Sequence, residues 1–139
     1  MGFPKISLLF LLMFLSINSY SQESNPDSTQ SKMMVRIAAI EIDSSYINEY
    51  IAILKEEAEA SVRLEPGVIC IYPMFQKEHP TQIRLLEVYA NKEAYESHLQ
   101  TPHFKHYKEA TLKMVKDLKL IDMNAIDTES MPDIFRKLN

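Results

Sequence analysis

Apolar and polar positions change period several times along the chain, and each change marks an element. Met34 to Ile42 is rich in β-branched and apolar side chains and reads as a first strand. Asp43-Ser44-Ser45 then offers side chains able to cap a helix. The apolar spacing becomes helical at Ile47, Tyr50/Ile51, Leu54, Ala58 and Val62. Pro66 and Gly67 should stop that helix near Leu64. Val68 to Phe75 reads as a second strand, Gln76 to Gln82 with Pro80 as a hairpin loop, and Ile83 to Ala90 as a third strand.

Asn91 begins a short helix with Ala94, Tyr95 and His98/Leu99 on one face. Thr101-Pro102 is a restart signal, because proline at the first helical position loses no hydrogen bond. The new helix should run through Phe104, Tyr107, Thr111 and Met114/Val115, and Leu118 to Ile126 should form the last strand. The order β-α-β-β-α(α)-β predicts an α+β, ferredoxin-like β-α-β-β-α-β domain, an antiparallel sheet with its helices on one face.

The strands themselves say more. A sheet with one wet face should alternate apolar and polar residues, yet these strands are apolar on both sides. The second places Val68, Cys70, Tyr72 and Met74 on one face and Ile69, Ile71 and Phe75 on the other. The third sets Ile83, Leu85 and Tyr89 against Leu86 and Val88. Helices cover one side only. The other predicts a partner, and a homodimer packed sheet against sheet is the simplest, with a cavity between each sheet and its helices.

Outside residues 33–126 the pattern is different. Lys5 followed by the apolar run Ile6 to Leu15, with Ser19-Tyr20-Ser21 as a small-x-small site, reads as a cleaved signal peptide over residues 1–21. The run is too short to span a membrane, which takes about 20 residues. A protein exported to the periplasm or beyond the cell, with no stable membrane insertion, is expected. Residues 22–32 carry no apolar side chain and read as a flexible linker. Residues 127–139, with Pro132, Met131, Ile134, Phe135 and Leu138, read as a tail or a short docking helix.

Composition narrows the chemistry. The net charge of −4 argues against a general electrostatic hold on nucleic acid. A single cysteine, Cys70, excludes an intramolecular disulfide and a cysteine-rich zinc module. Two glycines are too few for a glycine-rich phosphate loop.

Three of the four histidines fall between Tyr95 and Tyr107. Histidine titrates near neutrality and suits proton transfer. His98 closes one helix on its apolar face and His103 opens the next, so both can address a common space. Each taken singly has an ordinary reading as a helix cap or packed side chain. His106 lies between lysines and His79 in a loop, both expected at the surface. His103, His106 and Glu109 share a helical face, but an exposed helix start with basic neighbours makes a poor metal cage, and no metal is expected there. Glu87, mid-strand among apolar residues, needs a partner such as Arg36 or Arg84. It reads as a structural ion pair or as a carboxylate that orients a histidine. Tyr72 and Tyr89, on neighbouring strands, are expected either in the core or lining one cavity.

Met34-Val35-Arg36-Ile37-Ala38, Leu64-Glu65-Pro66-Gly67-Val68, Leu86-Glu87-Val88-Tyr89-Ala90 and Ala94-Tyr95-Glu96-Ser97-His98 running into Thr101-Pro102-His103-Phe104 are similar, together, to the antibiotic biosynthesis monooxygenase superfamily, in its quinol monooxygenase branch. The resemblance spans about residues 33 to 126. It implies a dimeric α+β barrel and a cofactor-independent monooxygenase, using neither metal nor flavin, that oxidises a quinol-like or other enolisable compound with dioxygen. By the same resemblance His98 or His103 would be the base and Glu87 would orient it or bind a hydroxyl. Tyr72, Tyr89, Phe104 and Tyr107 would grip the ring, with Arg36 beside them. The haem-degrading branch relies on a pocket tryptophan, and this chain has none. The same pocket would also serve a non-catalytic small-molecule binding protein or an oxygen-independent isomerase.

Overall fold

A computed structural model describes residues 33–127. The expected signal peptide and linker, and the tail beyond residue 127, lie outside the described residues. Four strands and three helices follow in order: β1 (Met34–Ile42), a 3-10 turn (Ser44–Tyr46), α1 (Ile47–Leu64), β2 (Val68–Phe75), β3 (Gln82–Tyr89), α2 (Lys92–His98), α3 (Pro102–Thr111) and β4 (Val115–Met123). The strands form one antiparallel sheet in the order β2-β3-β1-β4, the ferredoxin-like arrangement. Among the described residues no helix is long and apolar enough to cross a membrane.

The turn chemistry explains the boundaries. Asp43 accepts a hydrogen bond from the Ser45 backbone N–H and starts the 3-10 turn that leads into α1. Asn91 caps α2 by accepting from the Ala94 N–H, and Thr101 caps α3 by accepting from the Phe104 N–H. The Thr101 hydroxyl also donates to the His98 carbonyl, which ties the end of α2 to the start of α3. A Cβ on Gly67 would stand 2.5 Å from that of Ala94, so glycine is what lets α2 lie against the start of β2.

The core lies between the helices and one sheet face. Ala38, Ile40, Ile83, Leu85 and Tyr89 meet Tyr50, Leu54 and Ala58 of α1 there. Three expectations need correction. α3 ends at Thr111, and β4 begins at Val115 rather than Leu118. Met114 is fully buried, and its carbonyl accepts from the Asp43 N–H. Its apolar spacing with Thr111 therefore reflects a plugged turn and not a further helical turn.

β2 also departs from strict alternation. Val68 pairs with Tyr89 but Cys70 with Val88, so a bulge shifts the register between them. Val68, Ile71 and Pro73 consequently share the helix side with Tyr89, Glu87 and Leu85, while Cys70, Tyr72 and Met74 turn to the opposite face. Tyr72 is 59% exposed there and does not share a space with Tyr89, which is fully buried.

The third correction concerns ion pairing. Arg36 stands opposite Glu87 in the register, but its guanidinium binds Asp122 of β4 at 2.7 Å through both Nε and Nη2. Arg84 donates to the Ile83 carbonyl instead. The edge strand β4 supplies the partner because it faces the β1 side that β3 leaves open.

Candidate functional site

α1 packs on the sheet and delivers Glu57 and Ser61, then ends where Pro66 forbids another turn, leaving Glu65 at its C-terminal cap. α2 and α3, tied through Thr101, bring His98 and His103 over that end. Both histidines converge on a single carboxylate oxygen. Glu65 Oε1 lies 3.0 Å from His98 Nδ1 and 2.5 Å from His103 Nε2. Burial alone would raise the Glu65 carboxyl, but the hydrogen bonds from His103 and His98 outweigh it and hold the group below its ordinary value. An ionised Glu65 accepting from both rings requires N–H on His98 Nδ1 and on His103 Nε2.

Behind this trio sits a second carboxylate. Glu57 is 4% exposed and accepts from the Ser61 hydroxyl at 2.8 Å. Its Oε1 also faces His98 Nε2 at 3.6 Å, too far for a hydrogen bond. Burial pushes its carboxyl up, against the pull of Ser61 and the histidines. Glu87 completes the group from β3. Burial raises it as well, and it accepts from the Tyr89 hydroxyl at 3.2 Å.

Aromatic rings pack around these charges. Phe104 lies 4.7 Å from the His98 ring, and Tyr89 5.5 Å from it on the other element. Tyr95 stands 5.3 Å from Tyr89 and stacks under the Arg36 guanidinium at 4.6 Å. The Tyr107 and Tyr50 hydroxyls share a hydrogen bond of 2.7 Å. Burial pushes the Tyr107 phenol up to about 12, so it stays protonated at neutral pH.

The two histidines differ in access. The His98 side chain is 4% exposed, whereas that of His103 is 17% exposed and lines a cavity of about 240 Å³ with Ile53, Glu57, Pro102, His106 and Tyr107. A larger groove of about 440 Å³ runs along α1 and β2, past Lys55, Val62, Arg63 and Ile71, but no histidine borders it. The chemistry therefore belongs to the smaller space.

Of the residues singled out from sequence, the fold gathers His98 and His103 on Glu65, with Phe104 packed on His98, Tyr107 on the cavity that His103 borders, and Tyr89 and Glu87 beside them. Arg36, on the helix side of the sheet, is engaged by Asp122 and Tyr95, and Tyr72 lies on the opposite face. Glu65 and Glu57 went unnoticed as site residues. For Glu65 a signal existed: it opens the Glu-Pro-Gly-Val phrase, where a carboxylate at a helix C-terminus works against the dipole and calls for another reason to be there. For Glu57, spaced four residues from Ser61 on α1, nothing in the pattern distinguished it from its acidic neighbours.

The family model described as antibiotic biosynthesis monooxygenase matches residues 33–110. A crystal structure from Bacteroides thetaiotaomicron, of a candidate antibiotic biosynthesis monooxygenase, is 50% identical over 70% of this chain and 93% of its own, with a TM-score of 0.69. A candidate monooxygenase from Lactobacillus acidophilus is 31% identical over 68% of this chain, at a TM-score of 0.65. The chain spans under half of that longer protein, 45%. A third structure, from Nitrosomonas europaea, is 18% identical over 70% of this chain and 93% of its own at a TM-score of 0.66, a likeness of fold alone. No functionally curated protein matches the chain.

Proposed function

The chain belongs to the antibiotic biosynthesis monooxygenase family, and from that premise we propose that it oxidises a small quinol-like phenol with dioxygen in the cavity beside His103. One observation carries the reading: two histidines converge on a single oxygen of the half-buried Glu65, and one of them, His103, borders a cavity that Tyr107 also lines. The monooxygenase names of the 50% and 31% identical neighbours support the reaction class.

The reaction asks for proton transfer and shielding. A phenol loses its proton, the phenolate gives an electron to dioxygen, and one oxygen atom enters the ring while the other leaves as water. The ring supplies all the electrons, so no external reductant enters the balance. Glu65 accepts the His103 Nε2–H and so leaves Nδ1 with a lone pair for the substrate proton. The same carboxylate stabilises the imidazolium that forms. His98, buried under Phe104, holds Glu65 from the other side and is a positioning residue. Tyr107, which borders the cavity, offers flat apolar surface for the ring, and Phe104 packs beside it and on His98.

The homodimer belongs to the same proposal. Ile37, Leu86, Tyr72, Met74 and Ile121 form an apolar face opposite the helices, and a second copy would cover it. Export remains part of the proposal on the strength of the segment from Lys5 to Ser21.

Oxygen uptake with a reduced naphthoquinol, corrected for spontaneous oxidation, tests the reaction. His103→Ala should lower kcat by about 10²–10⁴-fold, the usual worth of a positioned general base. Uptake no faster than the blank across a panel of phenols would reject the oxidation and leave a binding or isomerase pocket.

A further inference from the structure

The sequence offered His103, His106 and Glu109 as a metal face and gave reasons against it. The fold assembles a different set. Glu65, His98 and His103 bring one carboxylate oxygen and two imidazole nitrogens within 4.8 Å of one another. Bonds from a first-row metal to such donors run about 2.0–2.2 Å, which places neighbouring donor atoms roughly 3 Å apart. The carboxylate oxygen already stands 3.0 Å from one nitrogen and 2.5 Å from the other. We propose that Glu65, His98 and His103 form a binding site for a divalent first-row transition-metal ion of the zinc or iron class.

An independent feature points the same way. Histidines that ligate a metal through one nitrogen commonly offer the other N–H to a carboxylate. If an ion takes His98 Nδ1, its proton moves to Nε2, and Nε2 faces the buried Glu57 carboxylate at 3.6 Å. Ser61 alone donates a hydrogen bond to Glu57 among the described residues, so that carboxylate has capacity to spare. No lysine or arginine among the described residues forms an ion pair with Glu57 or Glu65. Two carboxylates in a half-dry interior, whose only ion-pair partners among the described residues are imidazoles, leave a negative space that a divalent cation neutralises. His103 borders the 240 Å³ cavity, which gives the ion a way in and room for water or a ligand on its free positions.

The consequence for turnover rests on the oxidation proposed above; the site itself does not. An ion on His103 Nε2 forces that ring's proton to Nδ1 and removes the lone pair assigned to the substrate. Metal occupancy and the base exclude each other through the tautomer of one ring.

The test uses purified, tag-free protein stripped with chelator and titrated with Co²⁺ by visible absorption and with Zn²⁺ by calorimetry. Saturation at one equivalent is expected. His103→Ala and Glu65→Ala should weaken binding by more than about 100-fold, and Glu57→Gln by about 10–100-fold. His79→Ala, in the exposed hairpin loop, should bind as wild type. His103→Ala removes a partly exposed side chain and keeps the test decisive if a His98 variant fails to fold. Absence of saturable binding, or equal binding by His103→Ala and Glu65→Ala, overturns the site, as does loss of binding only in His106→Ala. Oxygen uptake measured in chelator separates the two ideas. Uptake without metal binding keeps the oxidation and removes the site, and binding without uptake does the reverse. Where both occur, Zn²⁺ saturation should cut uptake at least about tenfold, and unchanged uptake would show that the trio does not hold the ion through His103.

Discussion

One sheet shows two faces with opposite chemistry. On the helix side Arg36, Glu87 and Tyr89 stand among buried neighbours, each held by a named partner, and Glu57, Glu65, His98 and His103 meet them from the helices and their ends. On the other side Tyr72, Met74 and Ile121 stand apolar and exposed. Removing charge from water is costly unless each group is paired, and leaving apolar area in water is costly unless something covers it. The first cost is met within this chain for Arg36 and Glu65 and only in part for Glu57 and Glu87. The second calls for a partner, and the two faces can be broken separately.

The largest effect is expected from the polar face. Loss of Glu65 as an acceptor should cost more activity than loss of the Phe104 ring that packs on His98. Glu65→Gln keeps the size of the side chain but leaves an uncharged amide against two N–H groups, and kcat for phenol oxidation should fall about 10²-fold or more. Phe104→Leu, which preserves an apolar contact on His98, should change it by less than about tenfold. Steady-state oxygen uptake of the pair distinguishes a charge that acts in the reaction from a wall that only fits the ring. Equal losses would place Glu65 among the walls.

The apolar face comes next. Tyr72→Asp sets a charge on the exposed face, on the edge strand β2, away from the core. Self-association should weaken by about 30-fold or more, as for a disrupted interface anchor, while the melting point of the separated chain should stay within a few degrees. Sedimentation equilibrium reads the first and thermal unfolding at low concentration the second. A dimer unaffected by Tyr72→Asp would place the interface elsewhere.

How these regions could be seen in the sequence differs for a physical reason. β1 and β2 begin and end where the apolar runs do, and the caps at Asn91 and Thr101 are local chemistry that needs no tertiary information. His98 and His103 were legible as a pair because two helix ends five residues apart must lie close. Glu65 was not, because it reaches them across 33 and 38 residues of chain, and only the packing of α1 on the sheet brings it there. The bulge in β2 was hidden by the strand's own composition. When both faces are apolar, one extra residue changes no visible pattern, yet it moves Tyr72 to the opposite side. β4 slipped by three residues because Met114 satisfies a helical period from within a turn.

Between the faces lies Gly67, which sets how closely α2 approaches β2. Gly67→Ala should destabilise the fold by about 1–3 kcal/mol, because the added Cβ meets Ala94 at 2.5 Å and either α2 or the strand must shift. Denaturant unfolding measures this. Since His98 ends α2, activity should fall along with stability. Coupling the change to Ala94→Gly, which removes the opposing Cβ, should recover part of the loss.

The smallest effect, and the sharpest on the polar face, concerns Glu87. Its carboxyl faces Arg36 from β1, Tyr89 on its own strand, His98 from α2 and Glu57 from α1, and burial dominates all of them in raising its pKa. A carboxyl raised on folding binds its proton more tightly in the native chain. Its contribution is therefore fully present below the ordinary value of 4.5 and is lost as pH rises through the higher native value. Near neutrality the ionised group is a net cost. Glu87→Gln keeps the hydrogen bond from Tyr89 and removes the charge. It should leave stability nearly unchanged at about pH 4 and raise it by roughly 0.5–1 kcal/mol at about pH 8. The difference between wild type and variant across that range isolates Glu87 from Glu57, whose shift has the same sign, and from Glu65, whose shift is opposite. If the variant is less stable at high pH, the ionised carboxylate is favourably held, and the attraction of Arg36 and His98 outweighs its burial.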